Sequence, residues 1–283
     1  MRREPTNQDE SVTSPKLACC NYIPDPAELR SFALEHGFDG IDWSFHRHTL
    51  PETERQKRRV QDVIKSMSPL LIRYHIAFDK TDLGHADPDE AKEAMRTFRK
   101  VCRVVADLEG EIVTVHVGLG HNSTLGLSWE RTLDSLAHLV KYAHSLGLKL
   151  CLENLAWGWS SRPELFEKMV RKANPWTTLD IGHARVSPSV VSQEYSIADF
   201  VTPQAERFLN AHIYHEENEH GHIPPSEVED LRDRLCMLLR LPNCDWWVLE
   251  LRKTQPLLET LEVVRDFLAN RDCNDQEQDA RGL

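Results

Sequence analysis

The sequence predicts a protein of the α/β class that folds as a single (β/α)8 TIM barrel. Short apolar runs alternate eight times with longer amphipathic stretches, an order typical of parallel strands joined by helices. A barrel of this kind needs about 250 residues, and the 283 residues of the chain supply them once polar tails are set aside. Neither GxGxxG nor GxxxxGKS/T follows an apolar run, which argues against dinucleotide and P-loop binding.

The chain divides into a barrel and two tails. Residues 1–15 and 271–283 are polar and lack periodicity, so they are predicted to be disordered, and residues 16–270 form the catalytic barrel domain. The first fifteen residues contain no apolar segment of the secretory type. No stretch approaches the roughly 20 apolar residues that span a membrane. We therefore expect a cytoplasmic protein without a membrane partner.

The strands are predicted from short runs rich in aliphatic residues. In the clearest example, a helix ends at Ser145–Gly147 and the buried run KLCLEN follows at once. The eight predicted strands span residues 16–21, 40–45, 70–76, 112–117, 148–153, 177–181, 208–214 and 246–251.

The helices are predicted from amphipathic stretches bounded by capping and terminating residues. Asp25 precedes Pro26 as an N-cap, and Gly37 ends the first helix. The weakest pattern is the one after the sixth strand. The predicted helices span residues 26–36, 51–66, 88–108, 129–146, 162–173, 193–206, 225–239 and 254–270.

Net charge bears on the binding partners, and cysteine content bears on the redox compartment. The formal net charge of −11 repels polyanions, and the basic run at 57–59 lies in a predicted helix as a solvated face, so duplex DNA is a disfavoured partner. The seven cysteines form no CxxC pair. We interpret them as buried thiols of a reducing compartment, with Cys20 on the first strand in a structural role.

Histidines and carboxylates follow six consecutive predicted strands, the third to the eighth. The carboxyl ends of barrel strands form one rim, where the chemistry of such barrels takes place, so these side chains should converge. They are His75, His116, Glu153, Asp180, His183, His212, His222 and Glu250.

Such a group of side chains requires a cation. Buried carboxylates cost several kcal/mol unless they are paired or bound to metal, and no lysine lies among these residues. Imidazole mixed with carboxylate suits Zn²⁺, with Mn²⁺ or Fe²⁺ as alternatives, and is too rich in nitrogen for Ca²⁺ or Mg²⁺. Asp42, at the end of the second strand, is placed to orient a metal-bound histidine.

Between its tails, the chain resembles the xylose-isomerase-like barrel superfamily, which includes sugar-phosphate isomerases and epimerases and endonuclease IV-type apurinic endonucleases. The matching segments are FDGIDW, VTVHVG, LCLEN, LDIGHA, AHIYH, HGHIPP and VLEL.

The resemblance implies one metal held by four ligands in the isomerases and epimerases, here Glu153, Asp180, His212 and Glu250. The endonuclease pattern adds His75, His116, His183 and His222, which together hold two or three ions. His220 stands where that pattern has an aspartate, which is a departure from it.

The first functional hypothesis is a metal-dependent hydrolase of a phosphoester or phosphodiester in a small or nucleotide-like molecule, for example a cobamide-type cofactor. Clustered metals activate water and hold phosphoryl oxygens. Glu153 and Glu250 are the predicted catalytic residues, and Arg252, Arg73 and Trp157 the predicted substrate contacts.

Two alternatives remain open. A metal-dependent sugar or sugar-phosphate isomerase or epimerase needs one metal, with Glu153 and Glu250 moving a proton between the two faces of the substrate. A non-catalytic barrel would bind a ligand without turnover. The sequence leaves the oligomeric state open.

Overall fold

The computed structural model describes residues 14–121, 123–270 and 273. Its strands are β1 (Lys16–Cys20), β2 (Gly40–Phe45), β3 (Leu71–Ile76), β4 (Ile112–Val115), β5 (Lys149–Glu153), β6 (Trp176–Asp180), β7 (Phe208–Ile213), β8 (Glu216–Asn218), β9 (Gly221–Ile223) and β10 (Trp246–Leu249). Eight of these strands are parallel neighbours in a closed barrel, in the order β1-β10-β7-β6-β5-β4-β3-β2. The predicted (β/α)8 barrel is therefore confirmed.

The longer helices pack around the barrel and follow its strands in sequence. The helices are α1 (Pro26–Glu35), α2 (Glu54–Ser66), α3 (Pro88–Asp107), α4 (Trp129–Ser145), α5 (Pro163–Ala173), α6 (Ile181–Val186), α7 (Pro188–Val191), α8 (Ala198–Val201), α9 (Arg232–Leu239) and α10 (Thr254–Ala269). Asp25 caps α1 by accepting hydrogen bonds from the amides of Ala27 and Glu28. In the described part of the chain, no helix has the length and apolar character needed to cross a bilayer.

Alternation along the strands divides the core into two regions. Outward-facing residues such as Tyr74 and Val113 are buried between the barrel and its helices. The residues that alternate with them, such as Thr114, point into the interior of the barrel. A polar layer fills the amino-terminal part of that interior. There the Thr114 and Thr178 hydroxyls lie 2.9 Å apart, and the Asn210 side-chain amide donates to Thr178 Oγ1 over 2.9 Å.

Gly40 admits the Trp246 ring to the base of the barrel. A Cβ atom at Gly40 would come within 2.4 Å of both the Trp246 ring and the Leu71 carbonyl. Since Trp246 is buried, the strand has room for no side chain at this position.

Several element boundaries differ from those predicted. α2 begins at Glu54 rather than 51, and α9 at Arg232 rather than 225. The single helix predicted at 193–206 is wrong: α8 is four residues long and a 3₁₀ segment, Thr202–Arg207, follows it. Pro203 interrupts regular backbone hydrogen bonding there, and Gln204 leaves helical geometry at φ −156°. The antiparallel β8–β9 hairpin was not predicted.

The cysteine interpretation also needs a correction. Cys236 on α9 and Cys273 form a disulfide, whereas the remaining five cysteines, Cys20 included, are buried and unpaired. The pairing joins residues 37 apart in sequence, too far for a spacing motif to reveal it. The predicted tails fall almost entirely on residues 1–13, 271–272 and 274–283, which lie outside the described residues.

Candidate metal centre

The structure brings all eight predicted metal ligands together at the carboxyl ends of the barrel strands. They fall into three groups of side chains, two of which share Glu153, and the ligand atoms of each group lie within 4.8 Å of one another. A fourth such group, of Asp42, His75 and His212, overlaps the two that share Glu153. Seven of the eight are buried, and His222 is half-buried. Alternation explains the convergence, because each ligand on a strand lies two positions beyond another inward-facing residue, as His212 does beyond Asn210.

The first group consists of His75, His116 and Glu153. The two imidazole Nε2 atoms are 3.4 Å apart, and they lie 3.6 Å and 3.1 Å from Glu153 Oε2. Tetrahedral ligands with metal bonds of about 2.0–2.1 Å stand roughly 3.3 Å apart. The three atoms therefore have the spacing of ligands around one small divalent ion.

The second group shares Glu153 with the first. Its other carboxylate oxygen, Oε1, lies 3.1 Å from His212 Nδ1, which is also 2.9 Å from Glu250 Oε2 and 4.0 Å from Asp180 Oδ2. One carboxylate thus reaches both groups, one oxygen to each, as a carboxylate bridging two ions does.

The third group contains a residue that sequence reasoning missed. Glu217 lies 3.3 Å from His183 Nε2 and 3.8 Å from His222 Nε2. Glu217 and His222 are direct partners across the β8–β9 hairpin. His220 has a side chain 78 % exposed to solvent and contacts Glu219 instead. The acidic side chain beside His222 is therefore Glu217 on the opposite strand, and the sequence signal for it was the Asn218–Gly221 turn between Glu217 and His222.

Neighbouring groups orient the ligands. The Nδ1 atoms of His183 and His222 face the carbonyl oxygens of Asn154 and Glu250, and Asp42 Oδ2 lies 3.3 Å from His75 Nδ1, as predicted. Such contacts hold a proton on Nδ1 and leave the Nε2 lone pair for a metal. The Tyr214 hydroxyl donates to Asp180 Oδ2 over 2.9 Å.

Electrostatic coupling within the centre is strong. Burial on its own raises the pKa of Glu153, but His116 and His212 outweigh it and hold that pKa well below its ordinary value. Burial lowers the pKa of His183, yet Asp180 and Glu217 raise it to about 10. The pKa of Asp180 is raised, chiefly by burial and also by Glu153. The raised pKa values of His75, His183 and His212 favour protons on these three imidazoles, which compensate the neighbouring carboxylates.

The residues present fit a divalent metal. Glu153 Oε2 makes no hydrogen bond in the described part of the chain, although two imidazole nitrogens lie within 3.6 Å. Lone pairs that point to a common centre rather than at each other produce this geometry. The mixture of imidazole and carboxylate suits Zn²⁺, Mn²⁺ or Fe²⁺.

Two of the three predicted substrate contacts lie beside the centre. A cavity of about 450 Å³ is lined by Glu153, Glu250 and Arg252, and an adjoining cavity of about 670 Å³ by Arg252 and Trp157. Trp157 is 56 % exposed, which leaves its indole free to meet a ligand.

Arg73 requires a correction. Its guanidinium donates to Asn210 Oδ1 and to Asp245, which immediately precedes β10, and lies over the Trp246 ring. These partners are at the amino-terminal end of the barrel, so Arg73 is remote from both cavities. It precedes His75 by two residues and shares its face of β3, one layer deeper.

Fold and site together define a barrel with a cluster of histidines and carboxylates at the carboxyl ends of its strands. The chain belongs to the xylose isomerase-like TIM barrel family, whose model matches residues 31–235.

The similar proteins include both characterised and uncharacterised members. An uncharacterized protein of Methanocaldococcus jannaschii is 27 % identical over 195 residues, which are 68 % of this chain and 83 % of that protein. A D-tagatose 3-epimerase-like protein has a TM-score of 0.68 at 18 % identity, covering 90 % of this chain and 97 % of its own. Endonuclease IV from Thermus thermophilus has a TM-score of 0.65 at 16 % identity, covering 90 % and 100 %. At these identities the solved structures establish the fold alone.

Proposed function

We propose that this protein is a metal-dependent hydrolase of a phosphoester or phosphodiester in a small or nucleotide-like molecule. The observation that carries the proposal is the set of three ligand groups around one rim, two of which share Glu153. A one-metal reaction requires neither the imidazole pair His75–His116 nor the group of His183, Glu217 and His222 as metal ligands, and would use the histidines as substrate contacts. Phosphoryl transfer by clustered metals uses such a set.

Each group of side chains has a role in this proposal. His75, His116 and Glu153 would hold one ion, Glu153, Asp180, His212 and Glu250 a second, and His183, Glu217 and His222 a third. Bound Zn²⁺, Mn²⁺ or Fe²⁺ would supply an acidified water and neutralise phosphoryl oxygens.

Arg252 gives the proposal a phosphate contact from the chain itself. It borders both cavities, and its guanidinium lies 3.9 Å from Glu250 Oε1. A guanidinium at this position can bind a phosphoryl oxygen beside the centre and orient the ester.

Size and charge restrict the substrate. The T. thermophilus relative is named as an endonuclease, but the net charge of −11 on this chain opposes binding of duplex DNA. A small phosphorylated molecule fits the cavities of about 450 Å³ and 670 Å³. We therefore favour a small-molecule substrate.

A sugar or sugar-phosphate epimerase is the second candidate, and the relatives support it at least as well. Several similar structures carry epimerase names, including those for D-allulose and L-ribulose. The group Glu153, Asp180, His212 and Glu250 forms a complete four-ligand site by itself. In that reaction Glu153 and Glu250 would move a proton between the two faces of the substrate.

Metal content and substrate preference separate the two candidates. We expect purified protein to hold two or three zinc, manganese or iron ions, and to cleave phosphodiesters while leaving a ketose panel unchanged. Glu217→Gln should lose about one ion and most of the hydrolysis, because the third group then lacks its carboxylate.

His220→Gln is the matched control, since this exposed histidine lies on the same hairpin and contacts Glu219 rather than the centre. It should retain the full metal content, and because His220 lines the cavity of about 450 Å³ it controls for metal binding rather than for activity. A single ion per chain combined with ketose epimerisation would overturn the hydrolase proposal in favour of the second candidate.

A further inference from the structure

A histidine–carboxylate pair, His121 and Asp82, lies outside the three ligand groups. In the loop that follows β4, His121 Nε2 is 2.5 Å from Asp82 Oδ2. The other oxygen of Asp82 accepts a hydrogen bond from the Gly118 amide over 2.8 Å. Asp82 is buried, whereas the His121 side chain is partly exposed. A buried carboxylate with both oxygens engaged holds the imidazole in one orientation.

The histidine of this pair faces a cavity that the third ligand group also borders. His121 lines the cavity of about 670 Å³ together with His183 and Glu217 of the third group. Arg252, the proposed phosphate contact, borders this cavity too. A substrate bound to the centre and extending into the larger cavity would therefore meet the His121 imidazole.

We propose that His121 is the general acid that protonates the leaving group, with Asp82 as its positioning residue. The inference rests on the proposed phosphoester hydrolysis. Asp82 occupies Nε2, so Nδ1 is the nitrogen that donates. Fixed imidazoles are the commonest proton donors in enzymes.

The chemical step balances without a further reactant. A water oxygen forms a bond to phosphorus while the bond from phosphorus to the ester oxygen breaks. The departing oxygen takes the proton from His121 Nδ1 and leaves as an alcohol. The proton that the attacking water releases restores the imidazole, so the net reaction consumes one water.

This role identifies the class of leaving group. An alkyl alcohol is a poor leaving group that needs a proton as it departs, whereas an activated aryl oxide leaves without one. The geometry therefore points to a natural substrate whose scissile bond joins phosphate to an aliphatic hydroxyl.

Matched esters provide the test. Zinc-loaded wild-type and His121→Gln proteins are compared on p-nitrophenyl and methyl esters, both of thymidine 5′-phosphate and of inorganic phosphate. We expect kcat for the methyl esters to fall by about 100-fold or more, and for the nitrophenyl esters by less than about threefold. Asp82→Asn should reproduce the same selectivity with a smaller loss, because the asparagine still accepts from Gly118 but misorients His121.

His48→Gln, a change at an exposed rim histidine outside both cavities, is the control and should leave both esters unaffected. Equal losses on methyl and nitrophenyl esters in His121→Gln would overturn the inference and leave the hydrolase proposal intact. Wild-type protein that cleaves none of the four esters would contradict the hydrolase proposal, and the inference would fall with it.

Discussion

Tyr214 links two ligand groups through one side chain. Its hydroxyl donates to Asp180 in the second group, and its ring stacks on His222 of the third at 3.8 Å between centroids. Gly182 makes room for it, because a Cβ there would come within 2.0 Å of the ring. The position of two ligands therefore depends on a residue that binds no metal.

Tyr214→Phe should weaken metal binding while preserving the fold. The phenylalanine keeps the stacked ring but removes the donor to Asp180, and loss of such an orienting hydrogen bond costs roughly 10–100-fold in metal affinity. Competition with a chelating dye measures the change. Tyr22→Phe is the control, because that hydroxyl pairs with Thr254, belongs to none of the ligand groups and lines neither cavity. Equal affinities in the two variants would contradict this role.

Sequence reasoning found ligands on strands and missed the one on the hairpin. Strand alternation and the common rim place His75, His116 and Glu153 together without any knowledge of loops. Glu217 depends on the cross-strand register of a hairpin that was not predicted, although the Asn218–Gly221 turn is a sequence signal for it. For Arg73, strand alternation correctly predicts a side chain that points into the barrel. It does not show that this side chain lies at the amino-terminal end, away from the rim.

The β8–β9 hairpin is the element that completes the third group. It supplies Glu217 and His222 from opposite strands, and only three residues on each side pair. Its turn requires Gly221, whose φ of 97° is unfavourable for any other residue. An antiparallel pair of strands this short is only marginally stable by itself. We therefore expect a metal bound by Glu217, His222 and His183 to hold the hairpin against α6.

Gly221→Val should loosen the hairpin and release about one ion. No atom lies within 4 Å of the added Cβ, so the effect arises from backbone strain alone, on the order of 1–3 kcal/mol. Hydrogen exchange should rise at 216–223, with the other ions retained. Gly126→Val is the matched control, because Gly126 also has open space but lacks a positive φ. Unchanged exchange and metal content in Gly221→Val would contradict the role of the turn.

Across the whole molecule, the elements that could be predicted from the sequence are those with a regular hydrophobic pattern. All eight barrel strands coincide with predicted apolar runs, because parallel strands buried on both faces need continuous apolar sequence. The stretch from α6 to β7 was not predictable in this way. Pro188 and Pro203 divide it into short helices, and their placement, such as the packing of α8 against α5, is set by tertiary contacts rather than by local pattern.

The candidate centre also links metal binding, pH and the stability of the whole barrel. In the metal-free protein the pKa of His183 is raised from 6.5 to about 10. The protonated imidazole therefore contributes stability that is fully present below pH 6.5 and lost as pH rises through about 10. A bound metal displaces that proton and removes this dependence, because metal ligands must be deprotonated.

The stabilisation by metal should therefore grow as pH rises from 6.5 towards 9. Saturating zinc at about 1,000 times its dissociation constant adds about 4 kcal/mol for each site. At lower pH, protons on His183 compete and reduce this gain. Thermal melts of chelated and zinc-loaded protein across this range, at fixed free zinc, measure the difference in Tm. A difference that stays constant or shrinks with rising pH would mean that metal and proton do not compete for these imidazoles, and that the three groups are ion pairs rather than a metal centre.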